Sequence, residues 1–392
     1  MQVDVDSPLP GGRVLADDQQ IYDPYSKTRL ELENDCMRLY GEVQMLQDVL
    51  SHLPDFDSVT IEPASAEELD RLQDYQDRSA VRVDPNVDAP QCAGAYKAID
   101  DVVVILANEW TNPFRVDPAS GDRIATTALQ DGTANTAISW LQTIPDIAQL
   151  ARYDTVGALV IRGIISRWLY LEIFSKGLAG IHPDLEGRFD AEFLVRPEII
   201  PERAALERRR WYQLLYAGLV AHPTFPAACQ QRAHNLAQEL DNIFMFLHPG
   251  VSYANRLRKD VVEPALRLQQ RMALTVQEFK YFFYLVPENP TPPFLSQFGH
   301  LASQTLTGRD IADPKKKIEF ADQSQAEIAR TILPICSITP YISYRNLDPV
   351  PMETTLSLRG KMVCARGEPE ARVQTLAGIQ PGIFHKLLAS RT

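Results

Sequence analysis

The sequence predicts a mostly α protein: an N-terminal zipper-like helix, then a helical bundle, then an irregular C-terminal region containing some β. Three observations lead there. Leucine recurs every seventh residue at Leu32, Leu39, Leu46 and Leu53. From residue 95 to 286 apolar side chains recur at the 3–4 spacing of one helix face, as in Ala95, Ile99, Val102, Val103, Leu106 and Trp110. After Pro287 the chain turns proline-rich, and runs such as "ICSITPYISYR" and "TTLSLRGKMVCAR" have β-like content between turn residues.

Composition bounds the rest. A chain of 392 residues is too long for one ordinary core, so two units plus tails are expected. Apolar residues at 45% and charged residues at 23% suit a soluble globular protein. A formal net charge of −12 disfavours non-specific nucleic-acid binding, which needs clustered Lys and Arg. The five cysteines, Cys36, Cys92, Cys229, Cys336 and Cys364, are odd in number and never spaced C-x-x-C. That argues against a disulfide framework and a Cys-based zinc site. The N-terminus "MQVDVDSPLPGGRV" lacks the basic and apolar regions of a signal peptide. The longest apolar segment, "VGALVIRGIISRWLYLEIF", is interrupted by Arg162 and Arg167, which predicts a buried helix and no membrane span. These features predict an intracellular protein of nucleus or cytoplasm.

Taken in order, residues 1–28 read as a disordered acidic tail, 29–54 as the leucine-heptad helix, and 55–94 as a short helix and linker. The short helix opens with a capping box, Ser65 and Glu68, and the linker is "RVDPNVDAPQ". Residues 95–286 read as the bundle, and 287–392 as a Pro-rich linker and a mixed region. Within the bundle, "NPFRVDPASGDR" predicts a turn-rich loop and Pro145 a helix start. The segment from about Val156 to Phe174, apolar on nearly every face, predicts the central helix. Further helices are expected from Glu202 to about His222, from Pro226, and over "ANRLRKDVVEPALRLQQRMALTVQEFKYFFYLV", the last kinked or split before Pro264.

In the heptad helix the leucines take d and Arg29, Cys36, Val43 and Leu50 take a, so Leu32, Cys36, Leu39, Val43, Leu46, Leu50 and Leu53 form the predicted association face. Gly41 costs about 1 kcal/mol relative to Ala. The e positions hold Glu33, Tyr40 and Gln47, and the g positions hold Asp35, Glu42 and Val49. No g–e′ pair is oppositely charged, so a homodimer is less favoured than a protein partner with basic e and g positions. An amphipathic helix packed on the protein's own core is the competing reading.

The stretch "RLELENDCMRLYGEVQMLQDVLSHL" resembles the zipper of fungal basic-leucine-zipper regulators. The corresponding upstream stretch, "LPGGRVLADDQQIYDPYSKTR", is acidic, contains Pro24, and offers only Arg13, Lys27 and Arg29 as cations. The basic DNA-reading arm of that family is absent, so no DNA-contact residue carries over and direct DNA binding is not expected. "LVIRGIISRWLYLEIFSKGLAGI" and "QQRAHNLAQELDNIF" are similar to helical regions of uncharacterised filamentous-fungal proteins, a group that implies no activity. Together the resemblances imply a regulator that dimerises without binding DNA, or a regulator truncated before its basic arm.

No catalytic, cofactor or metal motif is legible: there is no G-x-S-x-G elbow, P-loop, G-x-G-x-x-G or H-E-x-x-H. No two of the seven histidines stand at i, i+4. Asp100–Asp101 reads as a solvated helix edge before a metal pair. Cys229 with His234 reads as core packing before a nucleophile and base. Arg208, Arg209 and Arg210 form a possible anion or partner patch, against an ion-paired helix face. Lys315, Lys316 and Lys317 read as a charged loop before an import signal, and "ENPTPPF" as a stiff linker before a polyproline ligand. If buried, Arg162 and Arg167 must be paired or face a polar cavity: ion pairs with carboxylates such as Glu172 or Asp154, or exposure of that one edge, read before a ligand pocket in the bundle. The leading expectation is a non-enzymatic regulatory or scaffolding protein acting through helix–helix association, possible in transcriptional control. The alternatives are a small-molecule-binding or enzymatic helical bundle with a site assembled from distant residues, and the truncated DNA-binding regulator.

Overall fold

The computed structural model describes residues 89–154, 157–176, 223–275, 277–320, 323–346 and 355–390. The heptad helix with Leu32, Cys36, Leu39, Val43, Leu46, Leu50 and Leu53 lies outside the described residues, as do Arg208, Arg209 and Arg210. Everything described belongs to one compact unit, Gln76–Thr392.

Helix α1, Ala89–Val116, buries the predicted face: Ile99, Val103, Leu106 and Trp110. It starts inside the stretch that reads as linker and runs past Pro113 into the stretch that reads as loop. Buried Trp110 and Phe114 anchor its last turns, so packing outweighs the backbone bond that proline removes. Asp117 alone separates it from α2, Pro118–Asp131, where its carboxylate accepts from the Ala119 amide at 3.1 Å and caps the new helix. Then come α3, Asn135–Thr143, and α4, Pro145–Ala151, with Pro145 in the first turn as predicted. Helix α5, Ala158–Leu169, is buried at every position from Val160 to Leu169 and continues as a π turn, Tyr170–Phe174. It is the central helix the sequence predicts.

Helix α6, Phe225–Phe244, carries the expected stripe of Ala233, Leu236, Leu240, Ile243 and Phe244, and ends in a 3₁₀ turn, Met245–Leu247. The long helix expected next is divided. Helix α7, Ala254–Leu257, passes through a π turn, Arg258–Val262, into α8, Glu263–Ala273, so the disturbance precedes Pro264 as predicted. The expectation that helix continues through "QEFKYFFYLV" is overturned: Gln277–Phe282 is strand β1. Aromatics at alternate positions suit a pleated surface, and Phe279 and Tyr281 pack against the core.

The C-terminal region is more regular than its sequence predicts. It runs α9 (Pro292–Thr305), β2 (Leu306–Asp310), β3 (Lys317–Ile318), α10 (Gln325–Thr331), β4 (Ile332–Thr339), β5 (Tyr341–Asn346), β6 (Thr355–Leu358), β7 (Gly360–Arg366), α11 (Pro369–Ala377) and α12 (Ile383–Ala389). One sheet has the order β1-β5-β6 and is antiparallel; the other has the order β3-β2-β7-β4, with β2 and β7 parallel. Pro292 and Pro293 of "ENPTPPF" open α9.

Alternation along β7 explains why this sheet is buried on both faces. Val363 and Ala365 join the helical core with Cys336 and Ile338, whereas Met362 and Cys364 join a second core with Phe298, Phe320 and Ile328. The close crossing behind that second core needs Gly299, where a Cβ would come within 2.6 Å of the Gln325 carbonyl oxygen. No helix among the described residues is long and apolar enough to cross a membrane.

The central helix is held at its start by Asp154, whose carboxylate accepts from the amides of Gly157 (2.9 Å), Leu159 (2.7 Å) and Val160 (3.0 Å). Asp154→Ala strands three buried or half-buried donors and is expected to cost about 2 kcal/mol. A shift in the urea unfolding midpoint at unchanged m-value measures it, and an unchanged midpoint contradicts it.

Candidate functional site

The sequence marks Arg162 and Arg167 as the interior groups that need explaining. Both are buried, and both are paired. Arg162 Nε and Nη2 donate to the two oxygens of Asp100 at 2.8 and 2.5 Å, a bidentate fork from α5 to α1. Lys361 Nζ on β7 donates to Asp100 Oδ2 at 2.6 Å. One carboxylate thus joins two helices and the sheet. Arg167 Nη2 donates to Asp146 Oδ2 on α4 at 2.7 Å, and its guanidinium lies 3.7 Å over the Phe283 ring.

The partners differ from those expected. Asp154 caps α5, and Glu172 pairs with Lys176 at the surface, Nζ to Oε2 2.5 Å. The solvated-edge reading of Asp100–Asp101 is corrected for Asp100, which is 6% exposed; Asp101 is exposed.

The two buried carboxylates titrate in opposite senses. Burial pushes Asp100 up, but Arg162 and Lys361 outweigh it and hold it below the usual carboxylate range. Burial pushes Asp146 up as well, and Arg167 does not compensate, so it stays above that range. Burial, reinforced by Asp146, also raises the Cys336 thiol, whose Sγ lies 3.5 Å from Asp146 Oδ2. A buried thiol with a raised pKa is a poor nucleophile.

A second constellation was not singled out in the sequence. A cleft of about 600 Å³ opens between α2 and the turn that follows α6. Asp241, His248 and Ser252 all line it. Asp241 is buried on the apolar stripe of α6, and a carboxylate on that stripe was the available signal. It accepts from the Ser252 hydroxyl (2.8 Å) and the Tyr253 amide (3.1 Å). His248 Nδ1 lies 2.7 Å from the Val251 carbonyl oxygen, which can only accept, so Nδ1 is the donor of that bond. Nε2 is buried without a hydrogen-bond partner and lies 3.6 Å from Asp241 Oδ1, an ion pair when the ring is protonated.

These three residues are not arranged as nucleophile, base and orienter. The Ser252 hydroxyl donates to the carboxylate instead of the imidazole, and its oxygen accepts from the Ala254 amide at 3.3 Å. Cys229 is half-buried with Gln270 Nε2 at 3.5 Å, and burial raises its pKa. Lys315, Lys316 and Lys317 are exposed, and Lys317 pairs with Glu319. No group of three or more His, Cys, Asp or Glu side chains placed to hold a metal occurs among the described residues. Comparison with protein-family models, curated proteins and solved structures finds no match.

Breaking the central fork is expected to be costly. Asp100→Asn alone should lose about 3–5 kcal/mol, because it leaves the Arg162 guanidinium and the Lys361 ammonium without their carboxylate. The opposite shifts give opposite pH signatures. A carboxyl held low in the fold contributes stability that is lost as pH falls through its folded value; one held high contributes stability that is lost as pH rises through its folded value. The deficit of Asp100→Asn should therefore grow as pH rises from ~2 to ~4 and level off above that, whereas that of Asp146→Asn should shrink as pH rises above ~4. Denaturant titrations from pH ~2 to ~7 read both slopes, and slopes of the same sign contradict the assignment.

Proposed function

We propose that this is a non-enzymatic regulatory or scaffolding protein that acts by helix–helix association, with transcriptional control as the setting implied by the zipper resemblance. The observation that carries the reading is the commitment of the interior charged groups. Arg162 and Arg167 are the groups a buried reaction centre would draw on, and both are spent on ion pairs that hold the fold together. The cleft serine and three of the described thiols point the same way: Ser252 is bonded to a carboxylate, and Cys229, Cys336 and Cys364 have raised pKa values through burial. Residues 29–54 supply the association face, with Leu32, Leu39, Leu46 and Leu53 as its d positions. The acidic Glu33, Asp35 and Glu42 on its flanks select a basic partner helix over a second copy.

A second reading, small-molecule binding, is favoured by one observation: the cleft beside α2 has the volume of a ligand site.

The association reading predicts that the full chain captures a synthetic heptad peptide with Leu at d, Val at a and Lys at e and g. Capture should weaken in high salt and fall at least tenfold in Leu39→Glu/Leu46→Glu. Sedimentation of the chain with and without residues 29–54, alone and with the peptide, reads the result. Equal behaviour of the two chains in both conditions contradicts the reading.

A further inference from the structure

We propose that strand β1 is a self-association edge. Two copies of this chain pair their β1 strands antiparallel about a two-fold axis at Phe279, joining two three-stranded sheets into one continuous sheet. This surface belongs to the folded unit and is separate from the heptad face of residues 29–54.

The backbone supplies the template. The sheet β1-β5-β6 ends at β1, so β1 spends alternate amides and carbonyls on β5 and directs the others along its outer side. A lysine on such an edge, here Lys280, ordinarily blunts pairing with other chains. The order of side chains in "QEFKYF" reverses that effect for one partner, a second copy of the same strand.

Register carries the argument. An axis perpendicular to the sheet keeps the faces of both copies in common, and directly opposed residues lie on the same face. Their numbers therefore differ by an even count, so the axis passes beside a residue and not between two. Placed at Glu278, it opposes two carboxylates; placed at Lys280, it opposes two ammonium groups. Like charges directly opposite are destabilising. Placed at Phe279, it sets Glu278 of each copy against Lys280 of the other, and two opposite-charge pairs form together.

The neighbours on β5 agree. Glu278 stands opposite Arg345 and pairs with it, and Lys280 stands opposite Ser343. The row crossing the axis then runs Arg345, Glu278, Lys280, Ser343, with each carboxylate between two cations. On the other face Phe279 packs against the core, with its ring 6.1 Å from that of Tyr344. Meeting its copy at the axis, it extends that pair into a cross-strand aromatic row.

Sedimentation velocity at micromolar concentration tests this in the full chain carrying Leu39→Glu/Leu46→Glu, which removes the heptad face as a source of dimers. This parent should be a dimer that weakens in high salt. Lys280→Glu sets carboxylate against carboxylate and should raise the dissociation constant at least tenfold. Glu278→Lys sets ammonium against ammonium and should do the same. An equimolar mixture of the two variants restores both opposite-charge pairs and should form dimers that neither forms alone. Unfolding midpoints show that each variant is folded.

A parent that stays monomeric overturns the proposal. So does a Lys280→Glu chain as dimeric as its parent. That variant keeps the Glu278–Arg345 pair, so it is informative even where Glu278→Lys, which strips Arg345 of its partner, fails to fold. Two folded, monomeric variants whose mixture is also monomeric overturn the pairing at Phe279.

Discussion

The fold turns on one carboxylate. Asp100 sits on the buried face of the first described helix and receives a guanidinium from the central helix and an ammonium from the middle of the sheet. Each of these groups would be expensive to bury alone, and each is tolerated because the other two are there. A buried ion pair contributes little net stability against a well-packed apolar substitute. What the cluster supplies is a tie: three charge-assisted hydrogen bonds to one carboxylate join α1 to α5 and to β7.

With β7 fixed against α1 and α5, its alternating side chains divide between two cores, Val363 and Ala365 toward the helices and Met362 and Cys364 toward α9 and α10. Strand β4 is drawn in beside it, and Cys336 reaches the second ion pair at Asp146. That pair is less well compensated. Arg167 Nε and Asp146 Oδ1 have no hydrogen-bond partner, which fits a carboxyl whose pKa burial has raised. The two pairs, five residues apart on α5, are thus a strong clamp and a weak one.

Much of the helical half was legible from sequence, because helices are specified by local periodicity. Ile99, Val103, Leu106 and Trp110 announce the buried face of α1, and the run from Val160 to Leu169 announces the central helix. The burial of Arg162 and Arg167 was legible too. Their partners were not, because local reasoning offers Asp154 and Glu172, whereas Asp100 lies 62 positions from Arg162, and Lys361 a further 261 from Asp100. Strand β1 was misread because a short aromatic run carries no helix or strand signature of its own until β5 pairs with it. The cleft was invisible for a similar reason. Asp131, Asp241 and His248 are ordinary residues until the turn after α6 folds back beside α2.

If Asp100 couples helices to sheet, then the amides of α1, α5 and β7 should open in one cooperative event. Native-state hydrogen exchange measures this directly. In the native chain the slowest amides of all three elements should share one opening free energy, and in Lys361→Met the three should fall together by the same amount. If β7 alone exchanges faster in that variant while α1 and α5 keep their protection, the helices do not depend on the sheet through Asp100, and the account is wrong.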